Sequence, residues 1–389
     1  MRPATRLSRT SPLFWSEVRE TISRLQASGA DVIRLDIGDP DLPPRDEIIE
    51  ALTASVREPS AHRYPGGTGL LPLRQAIAGY YARRFGVTLD PEREVLPLIG
   101  SKEGISHVAL AFVDAGDVVL IPEPAYPTYR QGTCLAGGMV HVILLRPEDG
   151  YLPDLEAIPP DVARRAKILW LNYPHNPTGA VATLDFFARA VDFARRYDLL
   201  ICHDAPYCDV SYDGYRPPSI LQVPGAIEVA LEFNSLSKTY NMAGWRIAMA
   251  VGNRTAVREL GRVKANTDSG IFAPIQKAAI AALNGDQNWL GPRNAIYQER
   301  RDIIVSALEV SGLVPHKPLA GLYIWVQVPQ PYDSLSFTRA LLEKQGVAVS
   351  PGAMYGAGGE KHIRISVTAP TSRVQEAMSR FLAFCTSNG

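Results

Sequence analysis

The stretch Ser235-Leu236-Ser237-Lys238, followed by Gly244 and Arg246, indicates more about this chain than any other run of residues. Lys238 is one of only eight lysines and follows an apolar, strand-like run at residues 229–233, where a solvated lysine is not expected. Partial burial beside positive charge lets a lysine lose its proton near neutral pH, as the amine of a Schiff base must. We expect Arg246, two helical turns along, to supply that charge and to grip a phosphate bidentately. The pattern predicts a lysine that binds pyridoxal phosphate; the alternative is a loop lysine and a surface arginine.

Length and charge narrow the class of protein before any other motif does. A chain of 389 residues is too long for a single hydrophobic core, so we expect two domains. Forty basic and forty acidic residues without a basic block argue against nucleic acid or an anionic membrane as partner, and favour a small molecule. Residues 1–14 lack an apolar core of signal-peptide length and no later run is long enough to span a bilayer, so we expect a cytoplasmic protein. The four cysteines show neither metal-ligand spacing nor a disulfide framework, and no metal site is predicted.

Apolar β-rich runs alternate with amphipathic segments of helix length between about residues 70 and 285, which predicts an α/β fold with a mostly parallel sheet. The predicted strands are 95–99, 118–121, 168–171, 199–202, 231–233 and 247–251. Ligands of such sheets bind beyond the carboxyl ends of the strands. The site is therefore expected where these runs end.

Three regions are predicted along the chain. Residues 1–45, with a helix at 14–29, a strand at 32–35 and a proline-rich end, form an N-terminal arm that packs on the small domain. Residues 46–285 form the large cofactor-binding domain, and residues 286–389 a smaller α+β domain. In the small domain we expect helices at 294–310 and 336–345 and strands at 323–328 and 362–367.

Polar residues at the strand ends match what a pyridoxal phosphate site requires. Asp204 follows a predicted strand, and a buried carboxylate there would hold the pyridine nitrogen protonated. Tyr207, one turn further on, and the amide of Asn176 would bind the phenolic oxygen of the cofactor. Taken singly, Asp204 also fits a helix N-cap and Asn176 a turn before proline.

Three further motifs point to anion and ring binding. The run Gly100-Ser101-Lys102-Glu103-Gly104 opens a helix after a strand, so its N–H groups and the Ser101 hydroxyl would meet a phosphate, although a serine cap explains it equally well. Tyr126, in a proline-rich loop, would stack on the pyridine ring or be an ordinary buried aromatic. Arg364 lies inside an apolar strand, which indicates either a buried ion pair or capture of a substrate carboxylate; we favour capture.

Together these motifs resemble the class I/II aminotransferases of fold type I over nearly the whole chain. The resemblance rests on Ser-Leu-Ser-Lys with Gly-Trp-Arg, on Asn-Pro-Thr-Gly and Asp-Ala-Pro-Tyr upstream, and on 63–69 and 349–352. It implies that Lys238 is the Schiff-base lysine and proton shuttle, that Asp204 holds the ring nitrogen, and that Tyr126 stacks on the ring. The residues implied to bind the phosphate are Ser101, Lys102, Ser235, Arg246 and, from a second subunit, Tyr64.

The resemblance also implies partners and substrates. Asn176 and Tyr207 would hold the phenolic oxygen, while Arg364, Asn176 and the Gly38 backbone would take the α-carboxylate of an amino acid or 2-oxo acid. Such enzymes are homodimers with active sites at the subunit interface. The amino group moves to the cofactor and then to a second keto acid, in a ping-pong sequence.

Within that family the chain is most similar to bacterial LL-diaminopimelate aminotransferases, which act in lysine biosynthesis with 2-oxoglutarate. The runs that carry this likeness are 100–105, 235–246 and 266–272. Three features depart from the usual pattern: Ala248 in place of a glycine, His175 in place of an asparagine, and Gly66-Gly67-Thr68 after Tyr64. None touches the core chemistry, but the loop after Tyr64 bears on substrate preference.

Three alternatives stay open from sequence alone. The first is an aminotransferase for another donor, such as alanine, aspartate, an aromatic amino acid or a substrate of a specialised pathway. The second is a lyase, cyclase or oxidase that uses pyridoxal phosphate on the same fold. The third is a cofactor-binding regulator, for which we would expect a damaged lysine or aspartate or a fused DNA-binding module; Lys238 and Asp204 are both present, and we expect no such module.

Overall fold

The computed structural model describes residues 1–10 and 14–387. Residues 11–13, which belong to the N-terminal stretch considered above, lie outside the described residues, as do 388–389. The helices are α1 Phe14–Ala27, α2 Asp46–Val56, α3 Leu71–Phe85, α4 Ser101–Phe112, α5 Thr128–Ala136, α6 Pro160–Arg165, α7 Leu184–Tyr197, α8 Leu236–Thr239, α9 Arg254–Ala265, α10 Ala273–Asn284, α11 Leu290–Val310, α12 Ser334–Gln345 and α13 Thr371–Ser387. The strands are β1 Ile33–Arg34, β2 Val95–Leu98, β3 Val118–Glu123, β4 Met139–Leu144, β5 Ala166–Leu171, β6 Leu200–Asp204, β7 Ala230–Ser235, β8 Ala248–Gly252, β9 Pro315–His316, β10 Tyr323–Gln327, β11 Val347–Ala348, β12 Ser350–Pro351 and β13 His362–Ser366.

A seven-stranded sheet of order β2-β8-β7-β6-β5-β3-β4 forms the larger part of the fold. Strands β7, β6, β5, β3 and β4 run parallel, whereas β8 is antiparallel to both of its neighbours. The predicted α/β fold with a mostly parallel sheet is therefore confirmed. Strand β4 was not predicted, because it lies at the sheet edge and only Ile143 of its six residues is buried.

The chain reverses direction between Ser235 and Ala248, which pair across the sheet. Ser235 ends β7 and caps α8, since its side chain accepts a hydrogen bond from the Ser237 N–H at 3.2 Å. The expectation that Arg246 lies two helical turns along was wrong. Because Ala248 pairs with Ser235 across the sheet, the chain must return within a short loop, and α8 has only one turn. Arg246 adopts a left-handed conformation, with φ of 56°.

A second, four-stranded antiparallel sheet of order β12-β13-β10-β9 lies in the C-terminal part. Its core includes Ile324 and Ile363 together with helices α11 and α13. The N-terminal β1 pairs in parallel with β11, so that Ile33 lies opposite Val347. The domain boundaries at residues 45 and 285 stay a prediction. Strands β9, β11 and β12 are two residues long and have no periodicity that a sequence could display.

Residues 1–10 and 14–387 contain neither a membrane-spanning helix nor a cluster of metal-ligating side chains. Within them no helix combines the length and the apolar character needed to cross a membrane. The same residues contain no group of three or more histidine, cysteine, aspartate or glutamate side chains placed to hold a metal ion.

Candidate active site

A cavity of about 530 Å³ opens at the carboxyl end of the large sheet and extends to the second sheet. It contains every residue predicted for the site except Tyr64: Gly38, Ser101, Lys102, Tyr126, Asn176, Asp204, Tyr207, Ser235, Lys238, Arg246 and Arg364. The elements that carry them are far apart in sequence. The parallel strands bring their ends to one edge, as the strand-end argument requires.

Asp204 ends β6 and is buried at one wall of this cavity. Tyr129 donates a hydrogen bond to its Oδ2 at 2.7 Å, while Oδ1 has no hydrogen-bond partner within residues 1–10 and 14–387. Burial raises the pKa of Asp204 to about 6, although the Tyr129 bond and His203 oppose the shift. The carboxylate is therefore ready to accept a hydrogen bond from a cationic N–H in the cavity.

Tyr129 and Asn172 belong to the site but were not predicted as site residues. Tyr129 stacks on Trp170 with ring centroids 4.5 Å apart, which fixes its hydroxyl on Asp204. The Asn172 amide donates to the Asp204 carbonyl at 2.6 Å, and its Oδ1 accepts from the N–H of Asn176 at 2.8 Å. For Tyr129 a signal existed, since it follows Tyr126 by about one helical turn. Asn172 gave none beyond its position after a strand.

Lys238 lies in α8 with its amine directed into the cavity. Its Nζ donates a hydrogen bond to the carbonyl oxygen of Gly38. Burial lowers the pKa of Lys238, and the nearby cations of Arg364 and Arg246 act in the same direction. This environment favours the neutral amine that a Schiff-base lysine requires.

The opposite end of the cavity is built to receive an anion. Ser101 and Lys102 form the first turn of α4, whose free N–H groups carry partial positive charge. Gly100 has φ of 74°, and a Cβ at this position would lie 2.1 Å from Nη2 of Arg246. A side chain at this position would therefore displace the Arg246 guanidinium from the start of α4. Ser237 also lines this region, although the sequence argument used only its neighbours.

Arg364 is buried on β13, and its guanidinium has neutral hydrogen-bond partners. Nη1 donates to Asn176 Oδ1 at 2.8 Å, and Nη2 donates to the Asp36 carbonyl oxygen at 2.7 Å. No carboxylate forms an ion pair with Arg364 among the residues described, and its buried Nε has no hydrogen-bond partner there. Asp36 directs its carboxylate to Arg34 instead, at 2.6 Å. An uncompensated buried guanidinium is suited to bind an incoming carboxylate.

Two phenols lie between the lysine and this arginine. Tyr207 donates a hydrogen bond to the hydroxyl of Tyr323 at 3.2 Å. Burial raises the pKa of Tyr207. Burial also acts to raise the pKa of Tyr323, but the cations of Arg364 and Lys238 outweigh it and lower that pKa. Tyr323 was predicted only as part of a strand.

Tyr64 is the one predicted site residue that the structure does not bring to the cavity of its own chain. Its side chain is 89% exposed. The loop around it packs against the segment near Gly270, where an added Cβ would lie 2.3 Å from the Gly66 carbonyl oxygen. Its predicted action from a second subunit stays a prediction.

The residues of the cavity fit pyridoxal phosphate. The buried Asp204 Oδ1 without a partner suits a protonated ring nitrogen, and the start of α4 with Arg246 suits a phosphate. Tyr126 lines the cavity between these groups, and its ring meets Tyr129 edge-on, with centroids 5.7 Å apart.

Solved structures of the same fold identify the class of protein. The apo structure of BacF from Bacillus subtilis has a TM-score of 0.95 and 36% sequence identity to this chain, and 98% of each chain is covered. A mutant of the aspartate aminotransferase of Thermus thermophilus matches as well, with a TM-score of 0.91, 27% sequence identity, and 99% of this chain and 100% of that chain covered. Such likeness over the whole length places the chain among the fold type I aminotransferases.

Sequence comparison identifies the family. Residues 30–381 match the family model described as aminotransferase class I and II. The chain is 53% identical to the LL-diaminopimelate aminotransferase of Desulforudis audaxviator, covering 97% of this chain and 96% of that protein. It is 50% identical to the enzyme of the same name from Moorella thermoacetica, with 98% and 97% covered. The chain belongs to the class I and II aminotransferases, as the sequence motifs predicted.

Proposed function

We propose that this aminotransferase binds pyridoxal phosphate and transfers an amino group between LL-diaminopimelate and 2-oxoglutarate. The observation that carries the reaction class is the convergence of Lys238, Asp204 and Arg364 on one cavity, with Arg364 lacking a carboxylate partner among the described residues. The likeness to relatives that bear the name LL-diaminopimelate aminotransferase over nearly their full length supports the donor.

Each residue has a role that follows from its surroundings. When bound, pyridoxal phosphate supplies an electron sink for the α-carbon of the amino acid. Asp204 would bind the ring nitrogen through Oδ1 and keep it protonated. The amine of Lys238, made less basic by burial, would take the α-proton and return it. Asn176 and Tyr207 would hold the phenolic oxygen, and Tyr126 would pack on the ring.

Binding at the two ends of the cavity orients the substrate. Ser101, Lys102, Ser235 and Arg246 would bind the phosphate. Arg364, with the backbone near Gly38, would bind the α-carboxylate of the donor and then of the 2-oxo acid. Because the orientation of the α-carbon bonds selects the reaction, a fixed carboxylate favours proton removal over other bond cleavages.

We also propose that the enzyme is a cytoplasmic homodimer in which Tyr64 reaches the phosphate site of the partner subunit. Its 89% exposure in the single chain supports this assignment, because a tyrosine so exposed has no role within its own chain's cavity.

The proposed donor is tested by the absorption spectrum of the cofactor-loaded protein after mixing with LL-diaminopimelate, glutamate, alanine or aspartate. We expect the visible cofactor band to disappear with LL-diaminopimelate and glutamate alone. The Lys238→Ala variant, which lacks the proton-transferring amine, should show no such conversion. If LL-diaminopimelate leaves the band unchanged and another amino acid removes it, the donor is wrong and the reaction class stands.

A further inference from the structure

Tyr323 was predicted only as a strand residue, but it contacts several groups of the candidate site. It begins β10 and lies two residues from Trp325, which is directly opposite Arg364 on β13. Side chains two apart on a strand share a face. The Arg364 Cζ accordingly lies 3.9 Å from the centroid of the Tyr323 ring. This is a close cation–π contact.

The hydroxyl of Tyr323 faces the other functional groups. It accepts the hydrogen bond from Tyr207 at 3.2 Å. A Cβ on Gly38 would lie 2.0 Å from this hydroxyl oxygen, so Gly38 is required for Tyr323 to occupy its place. The carbonyl of Gly38 in turn accepts the hydrogen bond of Lys238. One phenol thus touches the carboxylate end of the cavity and the residues beside the lysine.

The ring of Tyr323 meets two opposing requirements at Arg364. A buried guanidinium needs stabilisation, but a carboxylate partner would compete with the substrate for the same N–H groups. A π face attracts the cation without occupying these N–H groups. Tyr355 adds a second ring, 5.0 Å from the Arg364 Cζ. Aromatic faces therefore hold the charge in place and leave it able to bind an anion.

We propose that Tyr323 is a positioning residue that holds Arg364 for the substrate carboxylate through its ring and connects this end of the cavity to Tyr207 and Lys238 through its hydroxyl. The proposal rests on the proposed function, since it takes Arg364 to be the carboxylate site. It separates two contributions that two substitutions can distinguish. Tyr323→Phe removes the hydroxyl alone, and Tyr323→Leu removes the ring as well.

The ring is tested by equilibrium binding of glutarate, a non-reacting analogue of 2-oxoglutarate, to the cofactor-loaded protein by calorimetry. We expect Tyr323→Leu to weaken glutarate binding about tenfold and Tyr323→Phe to change it by less than about twofold, as the loss of a desolvated cation–π contact requires. Tyr332→Leu is the matched control, because Tyr332 packs on Phe337 in the same part of the fold and does not line the cavity. This control should bind glutarate as the unaltered protein does.

The hydroxyl is tested by the rate at which the cofactor-free protein takes up pyridoxal phosphate as a function of pH. Uptake requires the neutral amine of Lys238, which faces Tyr323, Asp39, Arg364 and Arg246. Tyr323 and Asp39 stabilise the cationic form, whereas the two arginines oppose it. Tyr323→Phe should therefore shift the rise in uptake rate to lower pH.

The outcomes separate this role from a purely structural one and from the proposed function. A structural role would lower the melting temperature without moving either readout. An unchanged glutarate affinity in Tyr323→Leu, or an unchanged uptake profile in Tyr323→Phe, overturns the proposal; if Tyr323→Leu does not fold, the uptake profile decides. If LL-diaminopimelate fails as donor while glutarate binding still depends on Tyr323, the donor falls and the role of Tyr323 stands.

Discussion

Asp204 is a carboxylate whose burial opposes folding until a cationic partner joins it. Its pKa of about 6 in the folded protein exceeds the ordinary value of 3.8, so the folded state binds the proton more tightly than the unfolded state. Stability is therefore highest below pH 4 as far as this group is concerned, and it falls as the pH rises to 6. The buried carboxylate of Asp204 lowers the stability of the cofactor-free protein, so its presence reflects a requirement of the site and not of the fold.

Asp204→Asn should accordingly stabilise the cofactor-free protein, whereas it should abolish the activity of the cofactor-loaded enzyme. We expect the free energy of unfolding to increase by up to about 3 kcal/mol at pH 8, with the difference vanishing near pH 4. Asparagine keeps an oxygen that accepts the Tyr129 hydrogen bond. Denaturant unfolding at the two pH values measures the effect.

Asp213 offers a control of opposite sign for that experiment. Its ion pair with Arg301 lowers its pKa, so Asp213→Asn should reduce stability at pH 8. If Asp204→Asn is no more stable than the unaltered protein at pH 8, the burial argument for Asp204 is wrong.

Among single residues, the sequence indicated those that lie at strand ends, but not the residues that hydrogen-bond to them. Asp204 and Lys238 could be predicted because polar groups directly after apolar runs are visible in sequence. The supporting roles of Asn172, which also follows an apolar run, and of Tyr323 could not be predicted, since they depend on contacts between residues 32 and 116 positions apart in the chain. The pairing of Tyr207 with Tyr323 exists only once the two sheets meet.

Among the elements, the turn before α4 brings Gly100 against Arg246, beside the proposed phosphate site. Gly100 and Gly116 both have positive φ, 74° and 92°. A Cβ on Gly100 would strike Arg246, whereas a Cβ on Gly116 would meet no atom within 4 Å among the described residues. The two glycines thus share a positive φ and differ in what an added side chain would contact.

Gly100→Ala should therefore weaken pyridoxal phosphate binding by roughly ten- to a hundredfold, the range for losing hydrogen bonds to a charged group. Gly116→Ala is the matched control and should cost about 1 kcal/mol of stability with no change in cofactor affinity. Fluorescence titration of the cofactor-free proteins measures both. Equal cofactor affinity in the two variants would contradict the role assigned to this turn.

The order of elements was largely visible in the alternation of apolar and amphipathic segments, and their lengths were not. The one-turn α8 is set by the pairing of Ser235 with Ala248, which no local pattern reveals. Strand β4 is half-exposed at the sheet edge, so its residues lack the continuous apolar run by which the central strands were recognised.

For the whole molecule, the exposed Tyr64 gives a test of shared active sites. In a homodimer that exchanges Tyr64, a mixture of Lys238→Ala and Tyr64→Ala subunits contains heterodimers with one complete site. Refolding equal amounts of the two variants together should recover about a quarter of the unaltered activity, because half of the dimers are mixed and each has one intact site of two. Enzyme assay with sedimentation analysis measures this.

The absence of recovered activity would contradict the exchange of Tyr64 between subunits. If Tyr64 acts within its own subunit, or if sedimentation shows a monomer, mixing recovers no activity beyond that of the separate variants. The sequence predicted this exchange only through resemblance, because a single chain shows Tyr64 at its surface and no more.

The contact between Arg364 and the Asp36 carbonyl has a practical consequence for anyone who shortens the chain. The N-terminal arm supplies the backbone oxygen on which the guanidinium rests, while the groups suited to hold pyridoxal phosphate belong to other segments. We expect a recombinant protein that starts after Asp36 to bind the substrate carboxylate more weakly, because Arg364 loses one of its supports, while the residues proposed to hold pyridoxal phosphate, and with them its yellow colour, are retained. Colour alone is thus no sign of a working preparation of this enzyme.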